Sequence, residues 1–186
     1  MFDNTEREII ICNAYFIPSN DFIDAVRDAV GRGVRVIILT NSPETNDLPE
    51  LTMVARSYYK KILSINEDEE LKKRGGNVQI WEWYGWRYDQ ALQTEDTIHA
   101  KYAIFDRRYS LVGSYNLDPR SEKLNSETAV VFENDTLSTE LAKMFYENDL
   151  AYSRQVTPED ANEFNEPADA LYKLRKEFGD LFEPLL

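Results

Sequence analysis

The chain alternates between short apolar runs and longer stretches in which apolar residues recur every three or four positions. The first run, "REIIICNAYFIP", is rich in β-branched residues and stops at Pro18, which predicts a strand. In "NDFIDAVRDAVGRG", Phe22, Ile23, Val26, Ala29 and Val30 fall at helical spacing, with Asn20 placed to cap the start and Gly31 and Gly33 to end it. "VRVIIL" predicts a second strand. The β-α-β order, with a nearly all-apolar second strand, points to parallel strands covered by helices in an α/β fold.

A polar stretch, "TNSPETNDLPE", leads into a helix from about Leu51, which carries the acidic and then basic patch "NEDEELKKRGG" near its end and is stopped by the double glycine. Strands three to six follow as "NVQIWEW", "TIHAKYAIFD", "YSLVG" and "ETAVVFE", the fourth and fifth joined as a hairpin through a short "RR" turn region. From Thr136 the pattern is helical through about Tyr152. Residues 1–155 therefore read as one folded unit, and residues 156–186 as an acidic, partly helical tail punctuated by Pro158, Pro167 and Pro184. No internal repeat is present in the sequence.

Composition narrows what such a fold does. A chain of 186 residues, 42% of them hydrophobic, is long enough for one sizeable core and short for two independent domains. Its formal charge of -13 argues against a surface that grips nucleic acid by neutralising phosphates, so any anion site must be local. The lone Cys12 excludes an intrachain disulfide. No run approaches the roughly 20 apolar residues of a membrane span, and the first residues lack the charged start and apolar centre of a signal peptide. The chain as given is expected to be soluble.

The candidate chemistry centres on "IHAKYAIFD", which holds the only histidine of the chain. Along a strand, His99 and Lys101 project to the same side, so one face carries an imidazole and an ammonium together. Asp106 follows, and after six more residues comes "GSYNLDPRS", with Gly113, Ser114, Asn116, Asp118, Arg120 and Ser121, then "LNSE" with Asn125 and Glu127. This run resembles the phospholipase D superfamily, whose signature is H-x-K, four residues, D, six residues, then G-S-x-N. Every signature position matches, with both spacings intact. The resemblance implies a mixed β-sheet with helices on both faces, an α/β/α sandwich.

The residue types suit attack on a phosphodiester. An imidazole can displace the alcohol as a phosphohistidine, which a second alcohol or water then resolves, with no metal or cofactor required. Lys101, the Ser114 hydroxyl and the Asn116 amide would donate to the non-bridging oxygens, where charge accumulates. By resemblance, Glu127 would accept a hydrogen bond from one ring nitrogen of His99 and leave the other free to attack. Asp106 belongs to the signature and to the catalytic set, although its place on the strand suits organising the hairpin better than touching substrate. For Asp118 and Arg120 a buried structural ion pair is the alternative to a substrate role.

Such a mechanism also needs an acid on the far side of phosphorus to protonate the departing alkoxide. In this superfamily a second copy of the motif supplies it. With one histidine and no duplication, the chain carries half a site, and the other half must come from further sequence of the same protein or from a homodimer partner.

Outside the signature, "NAYFIPSNDFIDAVRDAVGRGVRVIILTNSPETND", "VGSYNLDPRSEKLNSE" and the closing "LFEPLL" resemble the C-terminal half of bacterial cardiolipin synthases. That branch moves a phosphatidyl group from a phospholipid such as phosphatidylglycerol to the hydroxyl of another. The resemblance implies a phosphatidyltransferase, peripheral to the bacterial inner membrane as the full-length protein, with nucleic acid not its partner. The alternative is a single-motif homodimeric phosphodiesterase or nuclease of the same superfamily.

Tyr15 and Asn41, at the ends of the first two strands beside Phe16, Thr40 and Ser42, would lie where open α/β folds bind ligands and are candidate substrate-binding residues, with core packing or loop capping as the alternative. Trp81 and Trp83 share a strand face suited to packing under a helix, whereas Trp86 and Tyr88, beyond the strand, suit a lipid interface.

Overall fold

The computed structural model describes residues 1–85 and 96–165. Trp86, Tyr88, the last part of the tail and "LFEPLL" lie outside the described residues. Seven strands form one mixed sheet: β1 (Glu8–Asn13), β2 (Arg35–Asn41), β3 (Asn77–Trp83), β4 (Lys101–Phe105), β5 (Tyr109–Gly113), β6 (Ala129–Glu133) and β7 (Ser153–Gln155). Their order is β6-β5-β4-β1-β2-β3-β7. β1, β2 and β3 are parallel neighbours, and the remaining pairs are antiparallel.

Strand alternation explains the nearly all-apolar β1. Ile9 and Ile11 enter one core cluster with Ile23 and Val26 of α1 (Asn20–Gly31), Val54 and Tyr59 of α2 (Pro49–Leu63), and Ala161 of α6 (Pro158–Asn165). Ile10 and Cys12 enter the opposite cluster with Ala142 of α5 (Asp135–Met144) and Phe145. Helices thus cover both faces, and a strand between two covered faces has no polar side to show. Trp81 and Trp83 both join the second cluster, on one face as their spacing requires.

The sequence reading needs several adjustments. Ser19, not Asn20, caps α1, its hydroxyl accepting from the Phe22 amide at 3.4 Å. The long helix ends at Leu63. The acidic-basic patch forms a 3₁₀ turn and the short α3 (Glu69–Lys72), because the Asp68 carboxylate caps a new start there. The helical stretch after Thr136 passes through a π-turn at Phe145–Asp149. β7 was not anticipated: three polar residues carry no alternating pattern, and only their pairing with β3 makes them a strand.

The boundary at residue 155 also moves. Val156 and Ala161 are buried in the first cluster, and Phe164 packs against Tyr59. The Arg56 guanidinium lies 4.0 Å from the Phe164 ring centre while pairing with buried Glu82, so α6 closes over a buried ion pair and belongs to the core.

The β4–β5 turn is made at Asp106 and Arg107, where φ is 54° and 55°. It closes with the Arg108 amide donating to Phe105 O at 3.0 Å. Two non-glycine residues in the left-handed region are unfavourable by themselves, although aspartate tolerates it better than most. The Asp106 carboxylate supplies compensation by accepting from the amides of Glu6, Arg7 and Glu8 at 2.9, 2.8 and 2.9 Å.

Candidate functional site

The topology gathers the signature at one edge. β1, β2 and β3 end there, and antiparallel β4 begins there, with Lys101 opposite Asn13. β5 returns to the same edge, where Gly113 pairs with Ala129 at the start of β6. Segments far apart in sequence therefore present Tyr15, His99, Lys101, Ser114, Asn116 and Glu127 together. Asp106 is the exception. It lies at the other end of β4, about 17 Å from Lys101 at strand rise, and its carboxylate is occupied by three backbone amides. Its grouping with the catalytic residues is corrected: it ties the hairpin to the start of β1.

His99 precedes β4 and is exposed, instead of sitting within the strand. Asn41 fixes the backbone before it. That amide is fully buried and donates to Ala14 O at 3.0 Å and Ile98 O at 2.9 Å, while its oxygen accepts from Ile98 N at 2.9 Å. With both ends occupied internally, Asn41 has nothing left for substrate. The substrate-binding expectation is replaced by a positioning one: the residue holds the segment that carries His99. Thr40 and Ser42 are buried alongside it.

Lys101 is half-buried beside this segment, its ammonium donating to His99 O at 3.1 Å and lying 6.0 Å from the Tyr15 ring centre. Burial lowers its pKa below the ordinary lysine value, against the opposing pull of Glu127, Asp118 and Asp47. Tyr15 donates its hydroxyl to Asp47 at 2.6 Å. Burial first, and then that acceptor, push the phenol pKa upward. Tyr15 thus stands beside Lys101 at this edge.

The Gly113-to-Asn116 loop is held from two sides. A Cβ on Gly113 would lie 2.4 Å from Thr128 O, so only glycine lets β5 approach β6 this closely. Asn13, missed in the sequence, donates to Tyr115 O at 3.1 Å and accepts from Leu117 N at 3.2 Å. A polar residue closing the otherwise apolar "IIICN" was its signal.

No hydrogen bond joins Glu127 to His99 among the described contacts, and the Glu127 carboxylate organises the loop. It accepts the Ser114 hydroxyl, Ser121 Oγ at 3.0 Å and Asn125 Nδ2 at 3.0 Å. The Ser114 bond, and then that of Asn125, hold its carboxyl below the usual range. Ser121, named in the motif but given no role there, is buried and also accepts from the Asn116 backbone N–H at 3.3 Å. Asp118 forms no ion pair with Arg120 among the described contacts. It caps α4 (Pro119–Lys123) by accepting from Ser121 N at 2.7 Å, while burial raises its pKa.

One feature of this edge is unfinished. The side-chain oxygen of Asn116 is buried without a hydrogen-bond donor among the described residues, an uncommon state for a native polar group.

Residues 1–150 match the family described as cardiolipin synthase, PLD-like domain. Cardiolipin synthase B of Shigella flexneri is 34% identical over 135 residues, covering 72% of this chain and 27% of that protein. The chain thus spans about a quarter of the length of the curated relatives it matches. Among solved structures, phosphatidylserine synthase of Haemophilus influenzae Rd KW20 aligns with a TM-score of 0.72 at 18% identity, over 100% of this chain and 43% of that one. Nuc, a phospholipase D family member from Salmonella typhimurium, aligns with a TM-score of 0.59 at 20% identity, over 83% and 85% of the two chains. At such identities these likenesses establish a shared fold.

Proposed function

Because this chain belongs to the phospholipase D superfamily, in its cardiolipin synthase, PLD-like domain family, we propose that it is the second catalytic half of a phosphatidyltransferase. The observation that carries the reading is the convergence of exposed His99, half-buried Lys101 and the Ser114–Asn116 loop on one sheet edge. A ring nitrogen of His99 attacks phosphorus, the phosphorus–oxygen bond to the departing alcohol breaks, and an acid from the other half protonates that oxygen. The acceptor hydroxyl then attacks phosphorus, gives its proton to the same group, and releases the imidazole as the phosphorus–nitrogen bond breaks. Lys101 and Asn116 receive the non-bridging oxygens, and Glu127 acts by fixing the Ser114 hydroxyl.

No described helix is long and apolar enough to cross a membrane. In this reading the full-length protein works at the inner-membrane surface, on phosphatidylglycerol or a similar donor. The test is phosphatidyl transfer by the full-length protein. His99→Ala is expected to lower the rate by about 10³-fold or more, and rapid quenching of the wild type should trap a phosphorylated imidazole. Wild-type rates in the variant would refute the assignment.

A second reading is favoured by one fact: the chain matches most of the length of Nuc. It makes the protein a homodimeric phosphodiesterase or nuclease, with two His99 rings facing across the axis. The charge of -13 works against a nucleic-acid substrate. Cleavage of DNA by the chain alone would support this alternative over lipid transfer.

A further inference from the structure

We infer that Trp83 is a positioning residue for His99: its indole N–H, held from the β7 side, fixes the segment that carries the imidazole. This rests on the reading of His99 as the nucleophile. Residues 96–100 belong to no strand, so no ladder of the sheet places them. Groups from other segments tie their backbone instead. Trp83 Nε1 donates to Asp96 O at 2.7 Å, and Thr97 donates its hydroxyl to Thr45 O. Asn41 holds the amide and carbonyl of Ile98, and Ala14 N donates to Ala100 O at 3.0 Å. The chain is therefore gripped on both sides of His99, whose side chain stays exposed.

Packing by itself asks only for a large ring at position 83, whereas an indole N–H in a buried place needs an acceptor. Asp96 O supplies it, and Gly85 makes the approach possible. A Cβ on Gly85, where φ is 66°, would lie 2.9 Å from Asp96 Cβ and 3.2 Å from Trp83 Nε1. The backbone of Trp83 leads to the same segment by a second route. Its carbonyl accepts from Ser42 N at 3.0 Å and from Thr45 Oγ1 at 2.8 Å, and Thr45 O accepts from Thr97. On the far side Trp83 pairs in register with Ser153 of β7, and Tyr152 meets its ring edge-on at 6.1 Å. The short polar strand β7 thus backs the residue that sets His99. Without the indole donor, the buried Asp96 carbonyl would turn toward another partner and carry the following residues with it.

The test is Trp83→Phe, which keeps a ring against Tyr152 and removes the N–H. Trp81→Phe is the control, because Trp81 shares the strand face and donates within β3, to Gln79 Oε1 at 3.1 Å. In the full-length protein Trp83→Phe should lower kcat about tenfold or more and leave KM for phosphatidylglycerol vesicles within about twofold, since misplacement by about 1 Å costs on the order of 10²-fold. Trp81→Phe should leave both constants unchanged. His99 is the only histidine of this chain, so a histidine-labelled sample of it gives one imidazole Cε1–H resonance by NMR. That resonance should move in Trp83→Phe and keep its wild-type position in Trp81→Phe. Gly85→Ala retains the indole but displaces Asp96, and should reproduce both effects even where Trp83→Phe fails to fold. Wild-type kcat with an unmoved resonance in Trp83→Phe and Gly85→Ala would overturn the inference, as would equal losses in Trp83→Phe and Trp81→Phe. A moved resonance with wild-type transfer would uphold the positioning role and count against His99 as the nucleophile.

Discussion

At the edge where β1, β2 and β3 end, the imidazole of His99 is exposed and the Asn116 side-chain oxygen lacks a donor among the described residues. At the opposite edge the polar groups are consumed by one another. Glu8 is held by Arg35, by Arg107 at 3.2 Å and by the Tyr146 hydroxyl at 2.7 Å, and Asp106 is saturated by three amides. That second edge also holds a cavity of about 1200 Å³, lined in part by Arg7, Arg35, Arg107 and Arg108. Size would nominate the cavity as an anion site, but charge pairing argues otherwise. Arg35 and Arg107 are committed to Glu8, and Arg108 to Glu133. Hollow space and unspent hydrogen-bonding capacity sit at opposite ends of one sheet, and the signature side chains other than Asp106 stand with the latter.

This contrast is sharpest at the paired amide and carboxylate that hold each edge together. Asn41→Ala leaves the Ile98 amide and the Ile98 and Ala14 carbonyls without their partner in a buried place. Its expected cost is about 2–4 kcal/mol of folding stability, with a further loss of transfer activity per folded molecule, because the segment carrying His99 is released. Chemical denaturation with single-turnover rates would separate the two. Asp106→Ala, at the other edge, should cost about 1.5–3 kcal/mol and leave activity per folded molecule unchanged. Activity loss without destabilisation would return Asp106 to the catalytic group.

Smaller effects should track how deeply each charge is buried. Burial alone would raise the Glu8 carboxyl, but the bonds from Tyr146, Arg35 and Arg107 outweigh it and leave the pKa below the ordinary value of 4.5. A depressed carboxylate stabilises the fold above its unfolded pKa, and that stabilisation is lost as pH falls through the folded value. Stability should therefore decline below about pH 4.5, and Glu8→Gln should flatten this part of the pH profile. A profile identical to wild type would break the assignment. The smallest effect is reserved for Arg108, whose pairing with Glu133 is exposed. Its replacement by alanine should leave the melting midpoint unchanged, as surface pairs contribute little.

The signature showed in the sequence because its chemistry fixes residue types at fixed spacing; β1 and β2 showed because double burial demands apolar runs, and β3 to β6 because β-branched and aromatic residues cluster between turn signals. His99, Lys101, Ser114 and Asn116 could be named from one dimension. Their partners could not. The Glu127 carboxylate accepts from Ser114, Ser121 and Asn125, a set that no spacing along the chain specifies. Asn41 looked like a ligand contact because its position at a strand end is shared by binding and structural residues.

What the sequence determined by itself is thus the local alphabet: which segments are strands, which helices have a buried face, and which side chains suit phosphoryl chemistry. Tertiary structure alone decided that β7 joins the sheet, that α6 closes the core, and that Asp106 and Lys101 stand at opposite ends of β4. The physical reason is that pattern and propensity act between near neighbours along the chain. A hydrogen bond such as that from Ile98 N to Asn41, 57 residues away, is set only when the sheet brings its ends together.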